Sequence, residues 1–259
     1  MTDRLSPRFS RCPKCGQQPL PLDQALPASC PRCGVILAKV GQTVRRSVPK
    51  PDDAPAWPDT AADWMEPLTE MPDPVNALHF WSRVALLAAL ALWSWVLITL
   101  DLRTGEFMDS FIHRPLLVFH EAGHVIFMAF GEWFTVLGGT LGQLLMPLIM
   151  AGALLFKNRD PFGASVGLWF LGVSLLDVAP YMYDALVPQL MLLSGHTGEA
   201  GGHDWIYLLS SLGLLAKAHL LGHLTHKLGA LVMLLALGWG ARLLAKQHAR
   251  VQDRALQED

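Results

Sequence analysis

The stretch VALLAALALWSWVLITL, residues 84–100, contains no charged residue over its 17 positions. A helix that crosses a bilayer needs about 20 predominantly apolar residues. Arg83 stands immediately before this stretch, and Asp101 and Arg103 follow it, so charged groups mark both of its ends. The sequence therefore predicts a transmembrane helix here.

Further apolar runs follow this first one, and they predict a chain that crosses the membrane repeatedly. Firm runs cover residues 115–131, 134–156, 164–193 and 228–245, and residues 205–215 form a shorter sixth candidate. The fourth contains Pro180 and Pro188 and is expected to be kinked or broken there. We expect an all-α polytopic membrane protein with about five to six transmembrane helices, whose membrane domain covers residues 79–248.

Charge and composition limit the location and the partners of the chain. Hydrophobic residues make up 52% of the sequence and charged residues 16%, whereas a soluble domain has roughly 25% charged residues. The net charge of −2 gives no reason to expect a nucleic-acid partner. Residues after Met1 do not form a secretory signal. We expect a multi-pass membrane protein with a cytoplasmic N-terminus and a cytoplasmic tail at residues 249–259. If both termini are cytoplasmic, the chain crosses the membrane an even number of times. Six crossings therefore fit better than five.

Four cysteines occur as two Cys-x-x-Cys pairs near the start of the chain, at Cys12, Cys15, Cys30 and Cys33. Each pair can place two thiolates on one ion, and the spacing between the pairs is close to that of a four-cysteine zinc site. Residues 1–40 thus resemble a zinc ribbon, in which the zinc is structural. The alternative is free or disulfide-bonded cysteines.

Residues 41–78 are rich in Pro, Asp and Ala, and this composition predicts a disordered tether. Trp57 and Trp64 could dock on a membrane or a partner, although incidental aromatic residues in a linker are the simpler interpretation. A ribbon on such a tether would regulate access to the membrane domain or bind a regulatory partner.

The apolar run RPLLVFHEAGHVIFMAF, residues 114–130, contains the pattern H-E-x-x-H. On a helix, His120 and His124 project from the same face and can bind one zinc ion, while Glu121 can act as general base toward a water. Polar groups at membrane depth usually mark a functional site. The alternative is a pair of core histidines that hydrogen-bond to neighbouring helices.

This motif resembles the site-2 protease family of intramembrane zinc metalloproteases. In that family a later helix supplies an Asp as third ligand from an Asn-x-x-Pro-x-x-x-x-Asp-Gly-like segment. Residues 174–185, SLLDVAPYMYDA, match it partly, with Ser174 where Asn would stand and Ala185 in place of Gly. The resemblance implies Asp184 as the third ligand. Asp177 is the alternative, because the two carboxylates can share a helix face and one could orient a histidine while the other binds zinc.

The predicted function is therefore an enzyme, a zinc metallopeptidase that hydrolyses peptide bonds within or beside the bilayer. Its cofactors are one catalytic and one structural zinc, its substrate is a membrane protein or peptide, and the lipid bilayer surrounds it. A non-catalytic membrane metal-binding or scaffold protein is the alternative. A less favoured alternative is a haem or redox protein that uses the face of His219, His223 and His226, which could equally be an interfacial stripe.

Three further features concern the surroundings of the motif. Gly138 and Gly142 form G-x-x-x-G, which permits close helix approach. Gln143 is expected to hydrogen-bond a neighbouring helix or, alternatively, the backbone of a substrate. Asp204, after His203, is expected to cap a helix or to act as a gate or second-layer group beside the zinc.

Overall fold

The computed structural model describes residues 9–24, 28–40, 68–69 and 77–258, and residues 251–258 by their backbone alone. The chain divides into two compact units, Met1–Trp57 and Pro58–Asp259. Most of the predicted tether, including Trp57 and Trp64, lies outside the described residues.

Every regular element in the described part of the larger unit is a helix. Its helices are α1 (Ala77–Thr99), α2 (His113–Phe127), α3 (Glu132–Gly152), α4 (Pro161–Asp184), α5 (Asp204–Ser211) and α6 (Ala218–Glu258). The described residues contain no strand, and one isolated bridge joins Ser29 to Ile36 in the smaller unit. The all-α expectation is thus confirmed for the described part of the chain.

Four helical segments are long and apolar enough to cross a membrane: Ala77–Thr99, Glu132–Lys157, Pro161–Asp184 and Leu215–Arg250. The count of five to six is not confirmed. The run at 115–131 yields only the 15-residue α2, about 22 Å long against a hydrocarbon thickness of about 30 Å. Gly131 adopts a φ of 94°, and the chain turns there into α3. The run at 205–215 yields the eight-residue α5.

Helices α1 and α4 run in the same direction. Arg83 donates to the Asp160 carboxylate at 3.0 Å near the starts of both helices. Trp169 donates to the Ser94 hydroxyl at 2.7 Å farther along both. Both polar contacts are largely shielded from solvent, and they hold the two helices in register.

Helix α3 runs opposite to α4, because Ala151 packs on Gly167 whereas Gln143 hydrogen-bonds Asp177. Helix α6 also runs opposite to α4, since its Gly222 packs on Tyr183 whereas its Gly240 packs on Ser165. The four candidate spans therefore alternate in direction. One end of the bundle, which we call the basic end, carries Arg83, Lys157, Arg159, Arg242, Lys246 and Arg250.

Glycines let α2 and α3 approach each other closely. A Cβ atom on Gly142 would lie 2.6 Å from the carbonyl oxygen of Phe119, and one on Gly138 would lie 2.7 Å from that of Gly123. The predicted close approach at G-x-x-x-G is confirmed. It brings the histidine face of α2 directly against α3.

Candidate metal centres

Three side chains from two helices converge at the end of the bundle opposite the basic end. His120 and His124 on α2 and Asp204 at the start of α5 each offer a ligand atom, and these atoms lie within 4.8 Å of one another. The Asp204 Oδ2 atom is 2.9 Å from His120 Nε2 and 3.4 Å from His124 Nε2. We call these three residues the HHD cluster.

In both imidazoles the Nδ1 atom, which faces away from the HHD cluster, forms a hydrogen bond. His120 Nδ1 lies 3.2 Å from Gln143 Oε1, and His124 Nδ1 lies 2.8 Å from the carbonyl oxygen of Thr135. Both partners are acceptors, so each Nδ1 donates its proton to them, and each Nε2 is left to face Asp204 or a metal ion. Metal-binding histidines are oriented in this way.

Gln143 continues this network to a buried carboxylate. Its Nε2 atom donates to Asp177 Oδ2 at 2.5 Å, and the other oxygen, Asp177 Oδ1, lies 2.7 Å from His113 Nδ1. Gln143 is 2% exposed and Asp177 is 4% exposed. The expectation that Gln143 bonds a neighbouring helix agrees with this contact, and Asp177 acts on His120 through the amide.

Gly139 on α3 leaves the space that the cluster needs. A Cβ atom on this residue would lie 2.5 Å from His120 Nε2 and 2.6 Å from His124 Nε2. Both distances are shorter than any non-bonded contact allows. Any side chain at this position would therefore compete with a metal ion for the two nitrogen atoms.

Hydrogen bonds to neighbouring residues hold helix α5, whose first residue is Asp204. The backbone N–H of Asp204 donates to the Tyr181 hydroxyl at 3.0 Å. The side chain of His203 caps the helix by accepting from Ile206 N at 3.4 Å. Trp133 at the start of α3 donates to Ser211 at 3.0 Å. His203, and not Asp204, is thus the N-cap, and the Asp204 carboxylate is left to face the histidines.

A cavity of about 610 Å³ opens beside the HHD cluster, and Glu121 lines it together with Asp177 and Tyr181. Helix α2 places Glu121 next to His120 on this side. The loop between α4 and α5 forms another wall, through Leu190, Met191, Leu192 and Leu193. The cavity therefore combines the Glu121 carboxylate with an apolar wall.

The Asp204 carboxylate and the His124 imidazole shift each other's pKa. His124 and Asp204 lie outside the four candidate spans. The hydrogen bond to Asp204 raises the pKa of His124 to about 9, against the opposing effect of burial. Burial would raise the pKa of Asp204, but its hydrogen bonds with His120 and His124 outweigh that effect and lower it. Asp204 is therefore an ionised carboxylate facing two nitrogen atoms.

The structure differs from the expectation that Asp184 or Asp177 supplies the third ligand. Asp184 Oδ1 accepts from the backbone N–H groups of Gln189 at 2.7 Å and Leu190 at 3.1 Å, and Oδ2 faces His203 Nε2 at 3.3 Å. Asp184 thus holds the cavity loop, and Asp177 is occupied by Gln143 and His113. Neither belongs to the HHD cluster.

The histidine face of α6 does not form a comparable cluster. His219 stacks on Tyr183 with ring centroids 4.0 Å apart, and His223 meets the same ring edge-on at 5.4 Å. Within the described residues, His219, His223 and His226 are not among the groups whose ligand atoms converge. Packing against an aromatic ring accounts for two of them.

The four cysteines of the smaller unit converge as the sequence predicts. Their sulfur atoms lie within 4.8 Å of one another, with Cys12 to Cys33 and Cys15 to Cys30 both at 3.7 Å. A disulfide would require about 2.05 Å. Sulfur atoms bound tetrahedrally to zinc at about 2.3 Å are about 3.8 Å apart. Gly16 and Gly34, with φ of 74° and 68°, turn the chain after each pair.

Both clusters fit a metal ion by the chemistry of their donors. Four thiols at tetrahedral spacing suit zinc in a closed site, while two imidazoles and a carboxylate beside a cavity suit a zinc site with an open position. Comparison of the chain with protein-family models, with curated proteins and with solved structures gave no match.

Proposed function

We propose that this chain is a membrane zinc metallopeptidase similar to the site-2 proteases. The observation that carries the proposal is the convergence of His120, His124 and Asp204 beside a cavity lined by Glu121. Asp204 takes the place that the family resemblance gave to Asp184. It lies on a different helix, but it supplies the same chemical group.

In this proposal the HHD cluster holds zinc, which when bound acts as a Lewis acid and activates water. The Glu121 carboxylate takes a proton from the attacking water, whose oxygen forms a bond to the carbonyl carbon of the substrate. The bond from that carbon to nitrogen breaks, and Glu121 passes the proton to the leaving amine. The products are a carboxylic acid, which keeps the second proton of the water, and an amine, and Glu121 returns to its starting state.

The position of the site suggests where the scissile bond lies. Tyr181, which contacts Asp204, follows Pro161 by about 20 residues, or about 30 Å of helix. Because this equals the thickness of the hydrocarbon core, the cluster lies near the membrane boundary opposite the basic end. We infer that the enzyme cuts peptide bonds beside one face of the bilayer, where water reaches the cavity.

Four crossings also agree better with the distribution of basic residues, six of which lie at the basic end against Arg103, Arg114 and Lys217 at the opposite end. Six crossings would put the loop with Lys157 and Arg159 outside, against the rule that basic residues stay in the cytoplasm. Four crossings put that loop on the same side as both chain termini. The basic end is then cytoplasmic, and the cavity faces the other side of the membrane.

The alternative is a non-catalytic membrane protein that binds metal with the same residues. A substitution of Glu121 can distinguish the two functions, because Glu121 lines the cavity but does not belong to the HHD cluster. The four-cysteine cluster has a structural role in either function, and a regulatory partner of the ribbon remains part of the proposal.

The test is Glu121→Gln in detergent-solubilised full-length protein, with Glu132→Gln as the matched control. Glu132 is the exposed first residue of α3 and does not line the cavity. Glu121→Gln should retain about two zinc ions per chain and lose cleavage of internally quenched apolar peptides, whereas Glu132→Gln should keep both. A Glu121→Gln protein that cleaves like the wild type would contradict the proposal.

A further inference from the structure

Tyr181 lies in the wall of the metal-site cavity, one turn before the end of α4. The proton-transfer scheme above assigns no role to this side chain. Its ring centroid is 6.0 Å from that of His120, and its hydroxyl oxygen is 3.0 Å from the backbone nitrogen of Asp204. The phenol therefore contacts residues of the HHD cluster on two of its sides.

The orientation of the phenol is fixed by its neighbours. His203 packs on the ring with centroids 4.2 Å apart and planes tilted by 31°. His203 is itself 3% exposed, and its Nε2 atom lies 3.3 Å from Asp184 Oδ2. A side chain held in this way loses little freedom when it forms one more hydrogen bond to a bound molecule.

The hydrogen bonding of the hydroxyl leaves its proton available. The oxygen accepts from the N–H of Asp204, which is its one hydrogen bond within the described residues. A phenol can donate one hydrogen bond while it accepts another. The O–H can therefore donate to a molecule in the cavity.

We propose that Tyr181 is a catalytic residue that donates a hydrogen bond to the carbonyl oxygen of the scissile peptide bond as negative charge develops there. The inference rests on the proposed peptidase function. The Tyr181 O–H bond stays intact throughout, so the residue adds no proton transfer to the scheme. Donors fixed before the reaction act most strongly at such an oxygen.

The test compares two small zinc ligands on the full-length zinc-loaded protein by calorimetry. Benzylphosphonate presents tetrahedral anionic oxygens, which need a hydrogen-bond donor, whereas benzyl mercaptan binds zinc through sulfur and has no oxygen. Tyr181→Phe should weaken benzylphosphonate about 10- to 100-fold and leave benzyl mercaptan unchanged. Tyr183→Phe is the matched control, because its ring stacks on His219.

Two results of these measurements would overturn the inference. One is a Tyr181→Phe protein that retains its zinc and binds benzylphosphonate as tightly as the wild type. The other is a loss of zinc from Tyr181→Phe, which would show that the hydroxyl serves only to hold Asp204. Neither result bears on Glu121, so the peptidase proposal is tested separately by Glu121→Gln.

Cleavage of a quenched peptide gives a second readout. Tyr181→Phe should lower kcat about 10²-fold with little change in KM, because the hydrogen bond strengthens as charge develops. An equal fall in kcat for Tyr183→Phe would show a general disturbance of α4 and would also overturn the inference.

Discussion

His120 reaches the carboxylate of Asp177 only through the side-chain amide of Gln143. The amide oxygen lies 3.2 Å from His120 Nδ1, and the amide nitrogen lies 2.5 Å from Asp177 Oδ2. In many zinc proteins a carboxylate bonds the metal-binding histidine directly. Here a neutral amide separates them, so the carboxylate orients the amide and the amide orients the imidazole.

This arrangement predicts that Gln143→Ala weakens zinc binding at the HHD cluster. Groups that orient a metal ligand typically contribute 10- to 100-fold to metal affinity, and we expect a loss of about that size. Competition with a chelator measures it, and Gln189→Ala is the control, because Gln189 contributes its backbone N–H to Asp184. Unchanged zinc affinity in Gln143→Ala would show that the amide does not orient His120.

The absence of a side chain at Gly139 predicts a larger effect on zinc binding than that of Gln143→Ala. Gly139→Ala places a methyl group against both Nε2 atoms, 2.5 and 2.6 Å away, and should abolish zinc binding at the HHD cluster while the ribbon keeps its ion. Gly152→Ala on the same helix is the control, since a Cβ there meets nothing within 4 Å. Zinc per chain should fall from about two to about one in the first variant only. Two zinc ions in Gly139→Ala would refute the position of the cluster.

The local motifs could be predicted from the sequence because their ligands lie within a few residues of each other. His120 and His124 are one helical turn apart, and each cysteine pair needs only a tight turn. Asp204 is 80 residues beyond His124, and its approach to the histidines depends on how α5 packs. The sequence GGHDW, residues 201–205, predicts a helix start, with a role beside the zinc as the alternative, and nothing local distinguishes a cap from a ligand.

The number of spans could not be predicted for a similar reason. An apolar run does not reveal where its helix ends, and Gly131 ends the helical segment that begins at α2 before it is long enough for a full crossing.

Asp184, which the sequence favoured as third ligand because it follows Pro180, lies at the end of α4 and holds the loop that follows. Its position relative to the motif depends on long-range packing and not on spacing.

The third ligand can be assigned by comparing two carboxylates. Asp204→Ala should lose the zinc of the HHD cluster, because it removes the only carboxylate among the three converging groups. Asp184→Ala should keep that zinc, although it frees the loop at Gln189 and Leu190. Zinc stoichiometry after dialysis distinguishes them. The reverse pattern would restore Asp184 as the ligand.

The pair His113 and Asp177 predicts how stability depends on pH. Burial lowers the pKa of His113, but the hydrogen bond and charge of Asp177, with the charge of Asp109, outweigh this and raise it above its usual 6.5. The folded protein then holds this proton more tightly than the unfolded chain. The stabilisation is complete below about pH 6.5 and is lost as the pH rises through the raised value.

Thermal unfolding in detergent measures this effect. The Tm of the wild type should fall as the pH rises above about 6.5, and His113→Gln should flatten that part of the profile. His219→Gln should keep the slope of the wild type, because His219 stacks on Tyr183. An unchanged slope in His113→Gln would mean that another group causes the pH dependence.

The alternation of four spans predicts which face of the membrane the cavity opens on. If the basic end is cytoplasmic, a cysteine at Ser194, an exposed residue that lines the cavity, should react with a membrane-impermeant maleimide in intact cells. A cysteine at the exposed Asn158, next to Lys157 at the basic end, should react only after permeabilisation. The four native cysteines lie in the smaller unit, before α1, and are expected on the cytoplasmic side. Labelling of N158C but not S194C in intact cells would reverse the orientation and place the cavity on the cytoplasmic face.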